Sequence, residues 1–319
     1  MYDYRTLRKS RGTAARQLAE QPGVNKCVAA SALTIAAFSM FGLRAQGAPL
    51  GSAAFAYDGA APLGVKVLQQ NRQGTLTIED ITFPSPQGGI IHAQLILPRN
   101  QKRLSAVLFV HWLGDAKTTN RSEFYRDAIT LARRGSAALL IDAMWAKPNW
   151  FMKVRTTDTD YAASIGQVIE LRRSLDVLLS QPGVEPSRVA YVGHDFGAMY
   201  GAVLSGVDQR VRWYVLMAGN NSFADWYLLY KQPADKEAFV ESMAPLEPLQ
   251  YLAKSKADEF LFQFAIKDRY ITPAHALLFA SAAPYPHGMF FYKSDHSLNV
   301  PEAFLDRVTW LDARLNPLR

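Results

Sequence analysis

Asp195 stands between two glycines in Gly193-His194-Asp195-Phe196-Gly197, directly after the apolar run Val189-Ala190-Tyr191-Val192 and before the small-residue stretch Ala198-Met199-Tyr200-Gly201-Ala202. The pattern predicts a strand, a sharp turn and a helix meeting at one carboxylate, because glycines on either side let the backbone turn and the helix approach the strand. Asp268 follows the apolar run that ends at Ile266, and His296 follows the one that ends at Tyr292. Acid, acid and histidine thus fall just beyond strand ends, the edge where sites in open α/β sheets gather. An aspartate, with an ordinary pKa of about 3.9, is ionised at neutral pH without help from a base. Its attack on an ester carbonyl would make an anhydride and expel a poor alkoxide. Attack on an sp3 carbon bearing a halide or a strained epoxide oxygen makes an ordinary alkyl ester, which His296, oriented by Asp268, can hydrolyse by activating water.

The elements that must position these residues can be read from periodicity. Alternation over 75–83 and 90–97, separated by turn residues, predicts a hairpin. Continuous apolar runs at 105–111 and 137–141 predict strands covered on both faces. Helical spacing runs over 121–134 and 159–179, the second stopped by Pro182-Gly183. Strands follow at 211–217, 259–266 and 288–292, with helices near 274–282 and from 302 to about 315. The segment 223–252 is helical, aromatic and interrupted by Pro233, Pro245 and Pro248, and is expected to lie over the sheet as a short lid within about 220–256. Strands alternating with helices predict an α/β domain over 75–319, with a mainly parallel sheet and helices on both faces.

Charge and cysteine usage narrow the partners. Of the 35 Lys and Arg residues, seven precede position 48, as do two of the 28 acids (Asp3 and Glu20), which leaves 28 against 26 over the rest. The basicity belongs mainly to the first 47 residues, so nucleic-acid binding is not expected. Residues 28–43 are uncharged, preceded by Lys26 and followed by Arg44. They read as a signal-peptide core or, alternatively, a membrane anchor, with small-residue cleavage sites at Ala45-Gln46-Gly47 and Ala54-Phe55-Ala56. An exported protein is the expectation, with a cytoplasmic one as a further alternative, and any membrane association would run through this leader. Residues 48–74 read as a flexible linker. The lone Cys27 precedes the apolar run, leaving the body without a thiol nucleophile or thiolate metal site. No metal-ligand spacing, dinucleotide fingerprint or phosphate loop occurs, so neither metal nor cofactor is expected.

From about residue 76 onward the chain resembles the α/β-hydrolase superfamily. The trim body is similar to the dienelactone-hydrolase branch, whereas the Gly-His-Asp-aromatic-Gly elbow resembles the epoxide hydrolases and haloalkane dehalogenases. The resemblance implies a small-molecule substrate, Asp195 as covalent nucleophile, Asp268 as orienting acid and His296 as general base. It places His111-Trp112-Leu113-Gly114 at the oxyanion loop and assigns the N–H groups of Trp112 and Phe196 to the oxyanion, with Trp112 where glycine is usual. Phe196 also stands where dehalogenases carry a halide-binding tryptophan, which leaves Trp112 or Trp226 as indole donors. The lid offers Tyr227 and Tyr230 to protonate an alkoxide, with Tyr200 and Tyr251 nearby in sequence, and so favours epoxide opening slightly over dehalogenation.

Other assignments stay open. Asp195 can also be read as a helix cap, and Asn220, Asn221 or Asp225 rival Asp268 as the orienting group. Two other functions compete: a dienelactone-hydrolase-like esterase or lactonase with Asp195 as base, and a non-catalytic binding protein that keeps the fold. For the lid aromatics Phe223, Trp226, Tyr227 and Tyr230, packing onto the core competes with substrate contact.

Overall fold

The computed structural model describes residues 47–99, 101–115 and 120–316. The apolar leader and Cys27 lie outside them. The second small-residue site, Ala54-Phe55-Ala56, belongs to the folded body, since Phe55 is fully buried and meets Tyr251 edge-on at 6.1 Å.

The chain runs through strands β1 (Lys66–Gln73), β2 (Leu76–Pro84), β3 (Ile90–Pro98) and β4 (Leu104–Val110) before helix α1 (Tyr125–Ala132). Next come β5 (Ser136–Ile141), α2 (Thr157–Leu179), β6 (Val184–His194), α3 (Phe196–Val207) and β7 (Trp213–Met217). Three short lid helices follow, α4 (Phe223–Tyr227), α5 (Lys236–Met243) and α6 (Pro248–Leu252). The fold closes with β8 (Glu259–Ala265), α7 (Pro273–Ser281), β9 (His287–Tyr292) and α8 (Pro301–Leu315). The sheet order is β1-β2-β3-β5-β4-β6-β7-β8-β9. The first strands pair antiparallel as far as β3 with β5, and every later pair is parallel.

The continuous apolar strands follow from burial on both faces. In β4, Ala106, Leu108 and Val110 face the core formed with α2 and α3, while Val107 and Phe109 face the core formed with α1 and α8. The same period of two divides Leu139 from Leu140 in β5, Tyr191 from Val192 in β6 and Leu216 from Val215 in β7. Two apolar layers clamp the parallel strands and fix the height of their C-terminal ends.

The expected linker at 48–74 is in part structured, with a 3-10 turn at Ser52–Phe55 and the whole of β1. Every residue of β1 is exposed, so its sequence lacks the polar-apolar alternation that reveals a half-buried strand. The lid is held at its base by Glu247, whose carboxylate accepts from the Ser222 hydroxyl and from the N–H groups of Phe223 and Ala224. These are the unpaired donors of a helix start. Among the described residues no helix is long and apolar enough to cross a membrane.

Candidate active site

Asp195 occupies the turn between β6 and α3 with φ 57° and ψ −116°. This positive-φ backbone costs a non-glycine residue about 1–3 kcal/mol. The close approach around it explains the flanking glycines. A Cβ at Gly193 would overlap the Gly197 carbonyl, and one at Gly197 would overlap the Val110 carbonyl on β4. The Asp195 side chain does not cap α3, which removes the capping reading. Instead its Oδ2 accepts from the Leu113 N–H at 2.9 Å, while Oδ1 is buried and has no hydrogen-bond partner among the described residues.

That arrangement depends on two fixed peptide planes after β4. His111 Nε2 accepts from the Ala143 N–H, so its Nδ1 carries the proton and donates to the Trp112 carbonyl at 2.7 Å. Burial lowers the His111 pKa, in keeping with this neutral tautomer. With the Trp112 carbonyl held on one side, the N–H of the same trans peptide, at Leu113, points the opposite way, to Asp195. The preceding plane is held likewise: the Trp145 indole N–H donates to the His111 carbonyl, and the Trp112 N–H donates to Glu123 Oε2. The Trp112 N–H, expected to face an oxyanion, is therefore directed to Glu123, and Leu113 supplies the N–H at the elbow. The Phe196 N–H lies in the first turn of α3, where amides lack an intrahelical acceptor.

His296 follows β9 and lies beside the elbow, 8% exposed against 2% for Asp195. Its Nδ1 meets Asp268 Oδ2 at 2.9 Å, and Asp268 Oδ1 accepts from the N–H groups of Tyr270 and Ile271. Asp268 is thus the carboxylate on the histidine; Asn220 instead accepts from Ser222 N–H. Burial pushes the Asp195 carboxyl up to about 6, against the opposing pull of His296, the Leu113 N–H, His194 and Trp226. The Trp226 side chain also favours the ionised carboxylate, while no hydrogen bond from a described residue reaches Oδ1. For His296, burial works against the charge, but Asp268, Asp195 and Glu123 outweigh it and raise its pKa. Burial would raise the Asp268 pKa, yet the hydrogen bond and charge of His296 and the two backbone donors hold it low.

Aromatic rings pack around the two residues that flank the carboxylate, Phe196 and His296. Phe196 is fully buried among Trp145, Trp150, Phe151, Trp226 and Tyr227. Trp226 lies 5.8 Å from the His296 ring and Tyr270 lies 5.1 Å from it. Of the expected lid residues, then, Trp226 reaches the site. Tyr227 does not present its hydroxyl there: that group bonds Tyr200 at 2.6 Å and Ser164 at 3.1 Å, because α4 turns it towards α2 and α3. Tyr230 is 62% exposed and its hydroxyl donates to that of Tyr270. Sequence reasoning missed Glu123, Leu113 and Tyr270, along with the wall formed by Trp145, Trp150 and Phe151. Only the tryptophan-rich 144–151 segment carried a local signal, a cluster of large aromatics after a buried strand.

No family model and no curated protein matches the chain. Solved structures do. An acetyl xylan esterase from Paenibacillus sp. R4 aligns with a TM-score of 0.68 at 17% identity, over 83% of this chain and 92% of its own. Acetyl xylan esterase 1 from Thermoanaerobacterium sp. JW/SL YS485 aligns with a TM-score of 0.68 at 13% identity, over 85% and 95%. The fold is that of an α/β hydrolase. The S-formylglutathione hydrolase FrmB of Staphylococcus aureus also aligns, with a TM-score of 0.57 at 13% identity over 76% of this chain and 99% of its own. Within the α/β-hydrolase fold, Asp195 is at the elbow, Asp268 follows β8 and His296 follows β9.

Proposed function

We propose that this α/β-hydrolase-fold chain hydrolyses small carboxylic esters or lactones, with Asp195 as the base that activates water. The carrying observation is Asp195 Oδ1, buried and without a hydrogen-bond partner among the described residues, beside a histidine that is itself paired to Asp268. The carboxyl, pushed up to about 6, has the proton affinity suited to a base working near neutral pH. Water gives a proton to Oδ1 as its oxygen attacks the carbonyl carbon. His296, whose imidazolium form the two aspartates favour, donates its proton to the departing alkoxide, and the proton on Asp195 restores it. The Phe196 N–H and the N-terminal end of α3 favour negative charge on the carbonyl oxygen. The esterase neighbours support this reading through their shared fold.

A second reading has its own observation. Leu113 N–H already holds Oδ2 while Oδ1 has no hydrogen-bond partner among the described residues, as a carboxylate nucleophile attacking an epoxide or haloalkane carbon would require. One single-turnover experiment in 18O-labelled water separates the two, run with excess enzyme on an aryl ester and on an epoxide. Base catalysis puts label into the product acid on the first turnover. Unlabelled oxygen in a first-turnover diol, with label retained on Asp195, would overturn the ester reading in favour of the covalent one. Absence of turnover across esters, lactones, epoxides and haloalkanes would overturn both.

A further inference from the structure

We propose that Glu123 and His194 form a positioning pair that locks the loop after β4, the elbow and the His296 loop into one frame. The proposal rests on the reading that Asp195 and His296 act together. Glu123 lies in the 3-10 turn Arg121–Phe124 before α1, and His194 is the last residue of β6, next to Asp195. His194 Nδ1 meets Glu123 Oε1 at 2.6 Å, and its Nε2 meets the His296 carbonyl at 2.9 Å. A carbonyl only accepts, so Nε2 carries a proton and donates it. The Nδ1–Oε1 contact holds one further proton between imidazole and carboxyl. The other Glu123 oxygen accepts from the Trp112 N–H at 2.7 Å. Trp112 in turn lies over the His194 ring, with centroids 5.2 Å apart and planes within 2°.

Each of the three chain segments that supply the site therefore ends on this pair. The Trp112 N–H fixes the peptide just before the one that holds Asp195 Oδ2. The His296 carbonyl fixes the backbone of the residue whose ring meets Asp268. His194 is fully buried, so neither nitrogen can exchange its partner for bulk water, and a lost partner leaves an unsatisfied polar group. The pair also contributes charge: Glu123 helps to raise the His296 pKa, and His194 helps to keep Asp195 ionised. Neither residue bonds Oδ1, since their polar atoms are taken by Trp112, the His296 carbonyl and each other, so their role is to position groups rather than to react.

The test uses the full chain and three variants. Glu123→Gln keeps both contacts, because an amide can accept from Trp112 and donate to a neutral His194. Glu123→Ala removes both. His194→Phe keeps the stack on Trp112 but loses both ring nitrogens. Glu123→Ala and His194→Phe are expected to lower kcat about tenfold or more with KM within about twofold, and Glu123→Gln to recover most of kcat. A readout without substrate accompanies this, the downfield proton NMR signal of the His296–Asp268 hydrogen bond. It should persist in wild type and Glu123→Gln and should exchange rapidly in Glu123→Ala and His194→Phe, with unfolding temperature recorded as the folding control. If Glu123→Ala does not fold, His194→Phe decides. An undiminished His296 signal in a folded disruptive variant would overturn the proposal even if wild type hydrolyses no ester; a wild type without turnover refutes the functional reading alone.

Discussion

Replacing Asp195 with asparagine should make the protein more stable and catalytically dead, and the gain should depend on pH. The carboxyl is 2% exposed and is pushed from 3.8 up to about 6 in the folded state. Below the unfolded value both states are protonated, and the carboxyl adds no pH-dependent penalty. Between 3.8 and about 6 the unfolded chain ionises while the folded one keeps its proton, so folding loses stability as pH rises. Above about 6 the penalty is complete. A shift of about 2 pKa units corresponds to roughly 3 kcal/mol, an upper bound because His296 responds to the same charge. In Asp195→Asn the side-chain carbonyl would keep an acceptor for the Leu113 N–H, and the amide nitrogen would take the open Oδ1 position. The hydrogen bond survives while the buried charge disappears. For a domain of this size, about 3 kcal/mol corresponds to an increase of about 5 °C or more in unfolding temperature. Urea and thermal unfolding of both proteins at about pH 4 and about pH 8 check this. The Asp195→Asn variant should exceed wild type at the higher pH by clearly more than at the lower. An equal gap at both values, or no gap under the alkaline condition, would refute the assignment of a buried, strained acid.

Other perturbations test the remaining parts of the site. If Asp195 must be ionised, kcat/KM should climb through about pH 6, where its carboxyl loses its proton; a flat profile from about pH 5 to about pH 7 would argue that another group is limiting. Gly197→Ala drives a methyl into the Val110 carbonyl and should cost about 1–3 kcal/mol by overpacking, with a large loss of kcat. Gly51→Ala, which meets nothing within 4 Å among the described residues, is the matched control in the same unfolding assay, expected within about 0.5 kcal/mol of wild type. Tyr227→Phe removes a hydroxyl bonded to Tyr200 and Ser164, so it should lower stability by about 1 kcal/mol while leaving kcat within about twofold. A hundredfold fall in kcat would return Tyr227 to the role of leaving-group acid.

The ordered trio was legible because each member sits in a local context that folding preserves. A buried strand followed by Gly-x-Asp-x-Gly can hardly be anything but a tight turn, and Asp268 and His296 fall at the ends of equally plain apolar runs. The strands β4 and β5 were legible for the same reason: two apolar layers demand unbroken hydrophobicity. Strand β1 was not, because an edge strand exposed along its whole length needs no pattern. Glu123 could not be found from sequence. Its function depends on meeting His194 across 71 residues, and nothing in its own helical segment distinguishes it from a solvated acid. Tyr227 was misjudged because the spacing of lid aromatics says which residues share a face but not where a hydroxyl ends up once the helix docks.

The tryptophan at position 112 sharpens the choice between the two chemical routes. Where a glycine would leave the loop free, this residue stacks on His194 and gives its N–H to Glu123. The elbow is served instead by the next N–H, from Leu113, which binds Asp195 itself. In a covalent route, negative charge develops on Oδ2 when water attacks the alkyl-enzyme ester, and Leu113 already lies there to receive it. In the base route, charge develops on the substrate carbonyl, and stabilisation falls to the Phe196 N–H, the α3 N-terminus and His296. Leu113→Pro removes the one donor on which the routes differ. Base catalysis predicts that the apparent pKa of Asp195 rises, because its ionised form loses a hydrogen bond, while activity survives above that new value. Covalent catalysis predicts accumulation of the alkyl-enzyme, because its hydrolysis alone is slowed. Mass spectrometry of quenched enzyme distinguishes them: an adduct that builds up on Asp195 would refute the base mechanism.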